Sequence, residues 1–479
     1  MKKIFNKFLS IILTGTLLMG SGCEPSDFGD INVNPNSTTV PVTSALLTNA
    51  ISNMGGAATF VRGGLFCQYY SETQYTEASL YATPQFGFGG NYAGDLYDLQ
   101  NIIINNTDVA TKDKVSVNGS NNNQIALARI LKAYNYMYLT DEFGDLPYSG
   151  ALKGDAKPAY DTQESIYKDL FKELKEAVAQ IDGGKVPAGD VLYSGDLAKW
   201  KKFANSLRAI LAMRISKADA NLGKSEFAAA ISAGVIQDNA DNATLAYPGG
   251  AFKNPWFNLY NGRKDYAISD VVTTMMSDLK DPRLKVFGNP NASGTVVGFP
   301  YGLTRDEAVT FANGHADFGF VLAAGKRAEG SALPILTAAH VYLARAEAAQ
   351  RGWTTETATT MYNNGIKASM EQWGVFDATA YAAYIADAKV SLATDPLIKI
   401  GTQRWLAFFP DGTQGWSEWR RTGYPVLKPT TKATNASKQI PRRFTYPSTE
   451  PNLNKENYNA AVGRLSGGDT QDAKIWWDK

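Results

Sequence analysis

Apolar residues recur every three or four positions over six long stretches, and a chain written this way must pack helices against helices. Gln124 to Thr140 places Ile125, Ala128, Leu131 and Leu139 on one side, with Tyr134, Tyr136 and Tyr138 spread around it. Asp161 to Ile181 carries Ile166, Leu170, Leu174, Ala177, Val178 and Ile181 on one stripe. Asp161 and Glu164 are set as a capping box before it. Asp196 to Ser216 repeats the pattern with Leu197, Trp200, Phe203, Leu207, Ile210, Leu211 and Ile215. Pro334 to Gly352 is Ala-rich, opening on a proline and stopping at Arg351-Gly352. Thr355–Trp373 and Ile398–Phe409 follow. Helices of this length in pairs read as a tetratricopeptide-like scaffold, although no strict 34-residue period is present.

Between the helices the text changes. Residues 241–266 and 284–330 are rich in Gly, Asn, Pro and aromatics without helical period, which predicts loops with a few short strands. The last 70 or so residues, rich in Pro, Arg and aromatics, show little period. The expected class is therefore mainly α, with an irregular loop-rich face.

Composition excludes several function classes. Across 479 residues, 47 Lys+Arg balance 46 Asp+Glu, which argues against a nucleic-acid binder. Two Cys and two His leave no disulfide framework, no all-cysteine zinc site and little room for a multi-His centre. His340, inside an Ala-rich helix, reads as a packed or capping residue, and His315 as a loop residue.

Lys2, Lys3 and Lys7 precede an apolar run from Phe8 to Met19 that is too short to span a bilayer and suits a secretory signal. Gly20-Ser21-Gly22-Cys23 resembles a bacterial lipobox, so residues 1–22 are expected to be removed and Cys23 lipidated. The mature chain then holds 44 basic and 46 acidic residues, a net charge of −2, and Cys67 is left as a lone buried thiol. Glu24 and Asp27 offer anionic lipid no basic patch, so the acyl chains must hold the membrane. Residues 23–44 form a tether and 45–479 a single body.

Catalytic motifs are missing. Gly223-Lys224-Ser225 lacks the first glycine of a phosphate loop, where Ala218 stands, and Tyr92 takes the third-glycine place after Gly87-Phe88-Gly89. There is no nucleophile elbow and no His-Glu-x-x-His. Asp141, Glu142 and Asp145 leave a hydrolytic carboxylate pair as the rival reading, since two acids at a fixed separation suffice for glycoside hydrolysis. A structural calcium ion would need only loop carboxylates and carbonyls, but no ordered acidic loop announces one; no cofactor is predicted.

The sequence holds 24 Tyr, 22 Phe and 9 Trp, and two loop clusters stand out among them. One runs from Tyr69 through Tyr70, Tyr75, Tyr81, Phe86, Phe88 and Tyr92 to Tyr97. The other is Trp256, Phe257, Tyr260 and Tyr266 among Asn254, Asn258, Asn261, Arg263 and Asp265. Flat rings beside Asn, Asp and Arg suit the apolar faces and polar rims of sugars.

Several segments together carry a family resemblance. They are Ser21-Gly22-Cys23, the run 28–36 (FGDINVNPN), the run 133–148 (AYNYMYLTDEFGDLPY), 200–208 (WKKFANSLR), Asp281-Pro282-Arg283-Leu284, 344–348 (ARAEA), 403–407 (QRWLA), 419–425 (WRRTGYP), Ile440-Pro441-Arg442-Arg443 and Trp476-Trp477-Asp478. In this order the chain resembles the SusD/RagB family of outer-membrane nutrient-binding lipoproteins, and more closely its SusD-like second branch, the starch-binding proteins associating with the outer membrane. The resemblance implies a non-catalytic surface lipoprotein, held by its lipid, that binds glycan or in some members peptide. It also implies a partner, a SusC-like TonB-dependent outer-membrane transporter. Stacking candidates on this reading are Tyr81, Phe86, Phe88, Tyr92, Trp256, Tyr260 and Tyr266, with Arg263 and Asp265 as polar partners. Trp256→Ala is expected to weaken binding without unfolding the chain. Trp419, Arg420 and Arg421 are expected to brace a loop.

Overall fold

The computed structural model describes residues 41–84 and 87–479. The signal segment 1–22, Cys23, the tether up to residue 40 and Phe86 lie outside the described residues. Helix α1 (Thr43–Ala58) opens the described chain, two residues before the expected end of the tether. Val42–Lys479 forms one compact unit.

Ten helices set the architecture. After α1 come α2 (Tyr97–Thr107), α3 (Asn121–Phe143), α4 (Gln163–Gln180), α5 (Leu197–Arg214) and α6 (Ala220–Ala233). Then follow α7 (Ala338–Gln350), α8 (Ala358–Trp373), α9 (Pro396–Phe408) and α10 (Gly412–Thr422). Consecutive helices pack as pairs, α3 on α4, α5 on α6, α7 on α8 and α9 on α10, and α5 and α9 also pack on α7. The division of labour follows from sequence. Helices α3, α5 and α7 are buried almost all round, as their runs of apolar and small residues require, whereas α4, α6 and α8 bury one stripe and leave the other face in water.

Caps agree with the side chains available. Ser120 caps α3, its Oγ accepting from Asn123 N at 3.2 Å, and Gly144 at φ 87° ends it. Asp196 caps α5, accepting from Lys199 N at 3.0 Å. Helix α4 is capped by Thr162, accepting from Ser165 N at 3.2 Å, not by Asp161. The Asp161 carboxylate is committed to the turn before it, accepting from Ser149 N at 2.8 Å and Tyr148 N at 3.1 Å.

Three two-stranded antiparallel ladders tie distant loops together: β1 (Tyr70–Glu72) with β5 (Tyr266–Ile268), β2 (Leu146–Pro147) with β3 (Tyr160–Asp161), and β4 (Ala243–Leu245) with β6 (Leu333–Leu336). Strand β6 corrects the expected helix start at Pro334. That proline sits in the strand, and α7 begins at Ala338 after Thr337. His340 closes the capping box with Thr337, and its Nε2 lies 2.9 Å from the Ala407 carbonyl, as a packed histidine should.

The family landmarks meet in the core as a buried ion network. Arg404 of α9 donates to Glu418 of α10 at 2.7 and 3.0 Å. Arg421 donates to Glu418 and, at 2.7 and 2.6 Å, to Glu347 of α7. Burial alone would raise the Glu418 carboxyl, but the Arg404 and Arg421 guanidiniums pull it far below the ordinary range. Arg283 pairs with Asp281 and bonds Ser369 at 3.0 Å and Gln403 at 2.7 Å, anchoring the loop excursion to α8 and α9. Arg420 lies 3.7 Å from the Trp416 ring and 4.7 Å from that of Trp477, the bracing role expected of it.

Candidate functional site

The β1–β5 ladder joins the start of the first aromatic cluster to the end of the second, with Tyr70 opposite Ile268 and Glu72 opposite Tyr266. Thr73 continues it, its N–H donating to Asp265 O at 2.9 Å and its hydroxyl to Lys264 O at 2.5 Å. The ladder stands on a small separate core of Ala267, Phe299, Ala308 and Phe318. That core is capped by a helix at Arg305–Gly314 within the 284–330 excursion, where loops were expected. Only Ala308 of this helix is buried, so its sequence shows no apolar stripe.

Tyr75 emerges from this platform with 45% of its surface exposed. Two guanidiniums lie near its ring, Arg263 at 5.6 Å and Arg305 at 5.3 Å from the centroid. Asp265 holds Arg263 in place by an ion pair of 2.5 Å and accepts from Gln74 Nε2. Beside Gln74 runs a groove of about 260 Å3. Val309, Ala312 and Phe318 supply its apolar wall, and Thr73, Gln74, Lys264 and Asn313 its polar rim. Beneath it, burial lifts the Glu72 carboxyl to about 7 even though Ser79 donates to it from N at 2.8 Å and Oγ at 2.9 Å. The site therefore offers an open ring, two cations beside it and an amphipathic groove, which suits recognition of a polyol with an apolar face.

The other sequence candidates fall elsewhere. Trp256 is fully buried and packs edge-on against Tyr70 at 5.2 Å. Tyr81 is fully buried, its hydroxyl accepting from Thr430 N at 3.3 Å. Phe88 is buried against Phe143 at 5.3 Å, and Tyr92, half-buried beside it, donates to Pro147 O. A ring closed into the core has no face to lend a ligand, so Trp256, Tyr81 and Phe88 act as staples of the loops, and the half-buried Tyr92 is tied down by its hydroxyl. Tyr260 is a staple too, donating to Tyr266 O at 2.9 Å and accepting from Val321 N at 2.8 Å. Tyr266 is half-buried in β5. Of the nine, Arg263 and Asp265 stand at the Tyr75 ring, and Tyr266 lies in the strand beneath. Tyr75 belongs to the first cluster but is not among the stacking candidates that the resemblance implies. Its setting, Glu72-Thr73-Gln74-Tyr75-Thr76-Glu77, is polar, but so is that of the buried Trp419 in Ser417-Glu418-Trp419-Arg420-Arg421-Thr422, so polarity of the neighbours alone does not mark an open ring.

The acids of the rival hydrolytic reading are structural in their contacts. Asp141 is fully buried, accepts from Tyr167 Oη at 2.5 Å and Trp477 Nε1 at 2.8 Å, and faces Arg214 at 3.4 Å. Glu142 accepts from Thr413 Oγ1 at 3.1 Å, and Asp145 pairs with Arg464 at 2.5 Å. Cys67 is buried, with burial holding its thiol well above its ordinary pKa. Among the described residues no group of three His, Cys, Asp or Glu is placed to hold a metal ion. Among them, too, no helix is long and apolar enough to cross a membrane.

Solved structures repeat this fold over nearly the whole chain. A chitin-binding protein is 28% identical, with a TM-score of 0.79 over 91% of this chain and 99% of that one. A chitin-binding SusD homologue from Flavobacterium johnsoniae is 27% identical, with a TM-score of 0.78 over 91% and 98%. A SusD homologue from Bacteroides thetaiotaomicron is 25% identical, at 0.76 over 91% and 98%. No curated protein matches the chain. The sequence model of the SusD-like family, described as starch-binding and associating with the outer membrane, matches residues 35–447. With that match spanning most of its length, the chain belongs to the SusD-like family.

Proposed function

We propose that this protein is a non-catalytic, cell-surface lipoprotein that captures glycan on the Tyr75 face and passes it to a SusC-like TonB-dependent transporter. Cys23 carries the lipid, and the signal segment 1–22 is removed. One observation carries the binding reading: an exposed tyrosine with two guanidiniums 5.6 and 5.3 Å from its ring centroid, beside a groove lined by apolar and polar side chains. A pyranose would lay its C–H face on Tyr75 and its hydroxyls toward Gln74, Asn313 and Arg263. Two structural relatives named for chitin binding favour glycan over peptide.

Titration with chitin and starch oligosaccharides tests the site. Tyr75→Ala should weaken binding at least about tenfold, or roughly 1.4 kcal/mol, with the melting temperature nearly unchanged. Equal affinity in the variant would remove Tyr75 from the site. New reducing ends on incubation with the same glycans would instead support hydrolysis. Mild solubilisation from membranes should recover a large β-barrel partner, and recovery of the lipoprotein alone would count against the transporter.

A further inference from the structure

The loop that displays Tyr75 is closed by a buried carboxyl. Glu72 and Ser79 stand at its two feet and are 8% and 1% exposed. At the first foot, Thr73 is tied to Asp265 and Lys264 beyond the end of the ladder. At the second, Leu80 O accepts from Thr434 N at 2.7 Å and Thr434 Oγ1 at 2.9 Å. Glu72 Oε2 joins the feet directly, 2.8 Å from Ser79 N and 2.9 Å from Ser79 Oγ. The ring that meets solvent is therefore carried on a loop whose closure depends on one side chain.

The supply of hydrogens favours a neutral carboxyl here. Ser79 Oγ also lies 3.2 Å from the Thr76 carbonyl, and one hydroxyl hydrogen cannot serve both oxygens. A protonated Glu72 supplies a second hydrogen, donating to Ser79 Oγ while Ser79 donates to Thr76 O. A carboxylate takes the Ser79 hydrogen for itself, and Thr76 O loses that bond. Burial is the largest influence on Glu72 and lifts it to about 7, while the Ser79 bonds and the Arg62 charge draw it down and Glu77 pushes it up. Tyr266 of β5 and Tyr301 also face it, and burial raises both hydroxyls, so they stay neutral through this range. In an opened loop water would solvate the carboxylate, and Glu72 would return to its ordinary 4.5.

We propose that Glu72 is the positioning residue of the Tyr75 face: its neutral carboxyl latches the 72–79 loop onto Ser79, and the latch loosens as the carboxyl takes up charge. A carboxyl that ionises more readily in the open loop than in the closed one favours opening as pH rises. The ring is thus held in place in mildly acidic surroundings and freed in alkaline ones. In its bearing on glycan capture, the latch rests on the proposed role of the Tyr75 face.

Hydrogen exchange of the full mature chain, read by mass spectrometry on the peptide covering residues 74–82, tests the latch without ligand. Protection of these amides, corrected for their intrinsic rates, should fall about tenfold between pH 6 and pH 8. Glu72→Gln keeps an oxygen for Ser79 and carries no charge, so its protection should stay level. Ser79→Ala removes the hydroxyl and should lower protection already at pH 6. Level protection in the natural chain, an equal fall in Glu72→Gln, or full protection in Ser79→Ala would each overturn the proposal. If Glu72→Gln fails to fold, the natural chain and Ser79→Ala decide. Saturating chitin oligosaccharide should raise protection at pH 8 at least about tenfold, because it binds the closed loop. If protection follows pH as stated but the oligosaccharide leaves it unchanged, the role of Tyr75 in binding fails and the latch stands.

Discussion

The α9–α10 core and the Tyr75 face both set arginine beside an aromatic ring, to opposite ends. In the core, Arg420 lies 3.7 Å from the Trp416 ring and is buried, and burial pushes its guanidinium down to about 9. At the loop face, Arg263 and Arg305 lie 5.6 and 5.3 Å from a Tyr75 ring that is 45% exposed. The contact chemistry is shared, and solvent decides what it does. A buried cation over a ring is closed on all sides and can only hold the fold. An exposed pair leaves the ring's outer surface for another molecule. Arginine–aromatic proximity in sequence is therefore no guide to function until burial is known.

The largest effect should come from breaking the buried side of this comparison. Glu418→Gln removes the carboxylate between Arg404 and Arg421 and leaves two guanidiniums to share Glu347. Removing one partner of a buried ion pair costs about 3–5 kcal/mol, and urea unfolding should show a loss of that order. A loss below about 1 kcal/mol would mean that water already reaches the network.

A smaller effect lies in pH. Burial lifts Glu142 to about 8, and Glu72 and Asp411 each to about 7. A carboxyl raised in the folded state holds a proton that the unfolded chain has released. Its contribution is thus fully present below the ordinary value of 4.5 and is lost as pH rises through about 8. Glu347 and Glu418 act with the opposite sign, losing their contribution as pH falls below the ordinary carboxylate range. The melting temperature should fall between pH 5 and pH 8, and Glu142→Gln should flatten that slope. An unchanged slope in the variant would place the titration on Glu72 and Asp411.

How much of this was legible in the sequence differs between the two regions for a physical reason. Helix periodicity placed α3, α4 and α5 within a few residues of their ends, because each buries a continuous stripe. Helix α10 was hidden by Gly412 and Gly415, which interrupt the period. A Cβ on Gly412 would lie 2.1 Å from Gly64 N, and one on Gly415 2.4 Å from Tyr69 Oη, so both are dictated by close packing of distant chain. Strand β6 was hidden because its partner, β4, lies some ninety residues earlier. The aromatic clusters marked the correct stretches of chain, but the pattern could not say which rings face water. Trp256 looks like a binding residue among asparagines and an arginine, yet Asn254 turns its side chain back to cap the short helix that buries it. Trp256→Ala is thus a core deletion and no longer a clean test of binding.

The finest distinction concerns Arg305. It is exposed at the first position of the 305–314 helix, where a cation meets the unfavourable end of the helix dipole. Its removal should cost the fold nothing measurable, in contrast to Glu418→Gln. An exposed cation–π contact is worth about 0.5–1 kcal/mol in holding the Tyr75 ring, so Arg305→Gln should weaken oligosaccharide binding by no more than roughly two- to fivefold. Calorimetry at low and high salt separates its two contributions. If Arg305 only orients the Tyr75 ring, the fold-change should persist at high salt, because a neutral glycan adds no screened charge pair. A fold-change that vanishes with salt would mean that the ligand itself is charged, and the face would then be an anion site built around a ring.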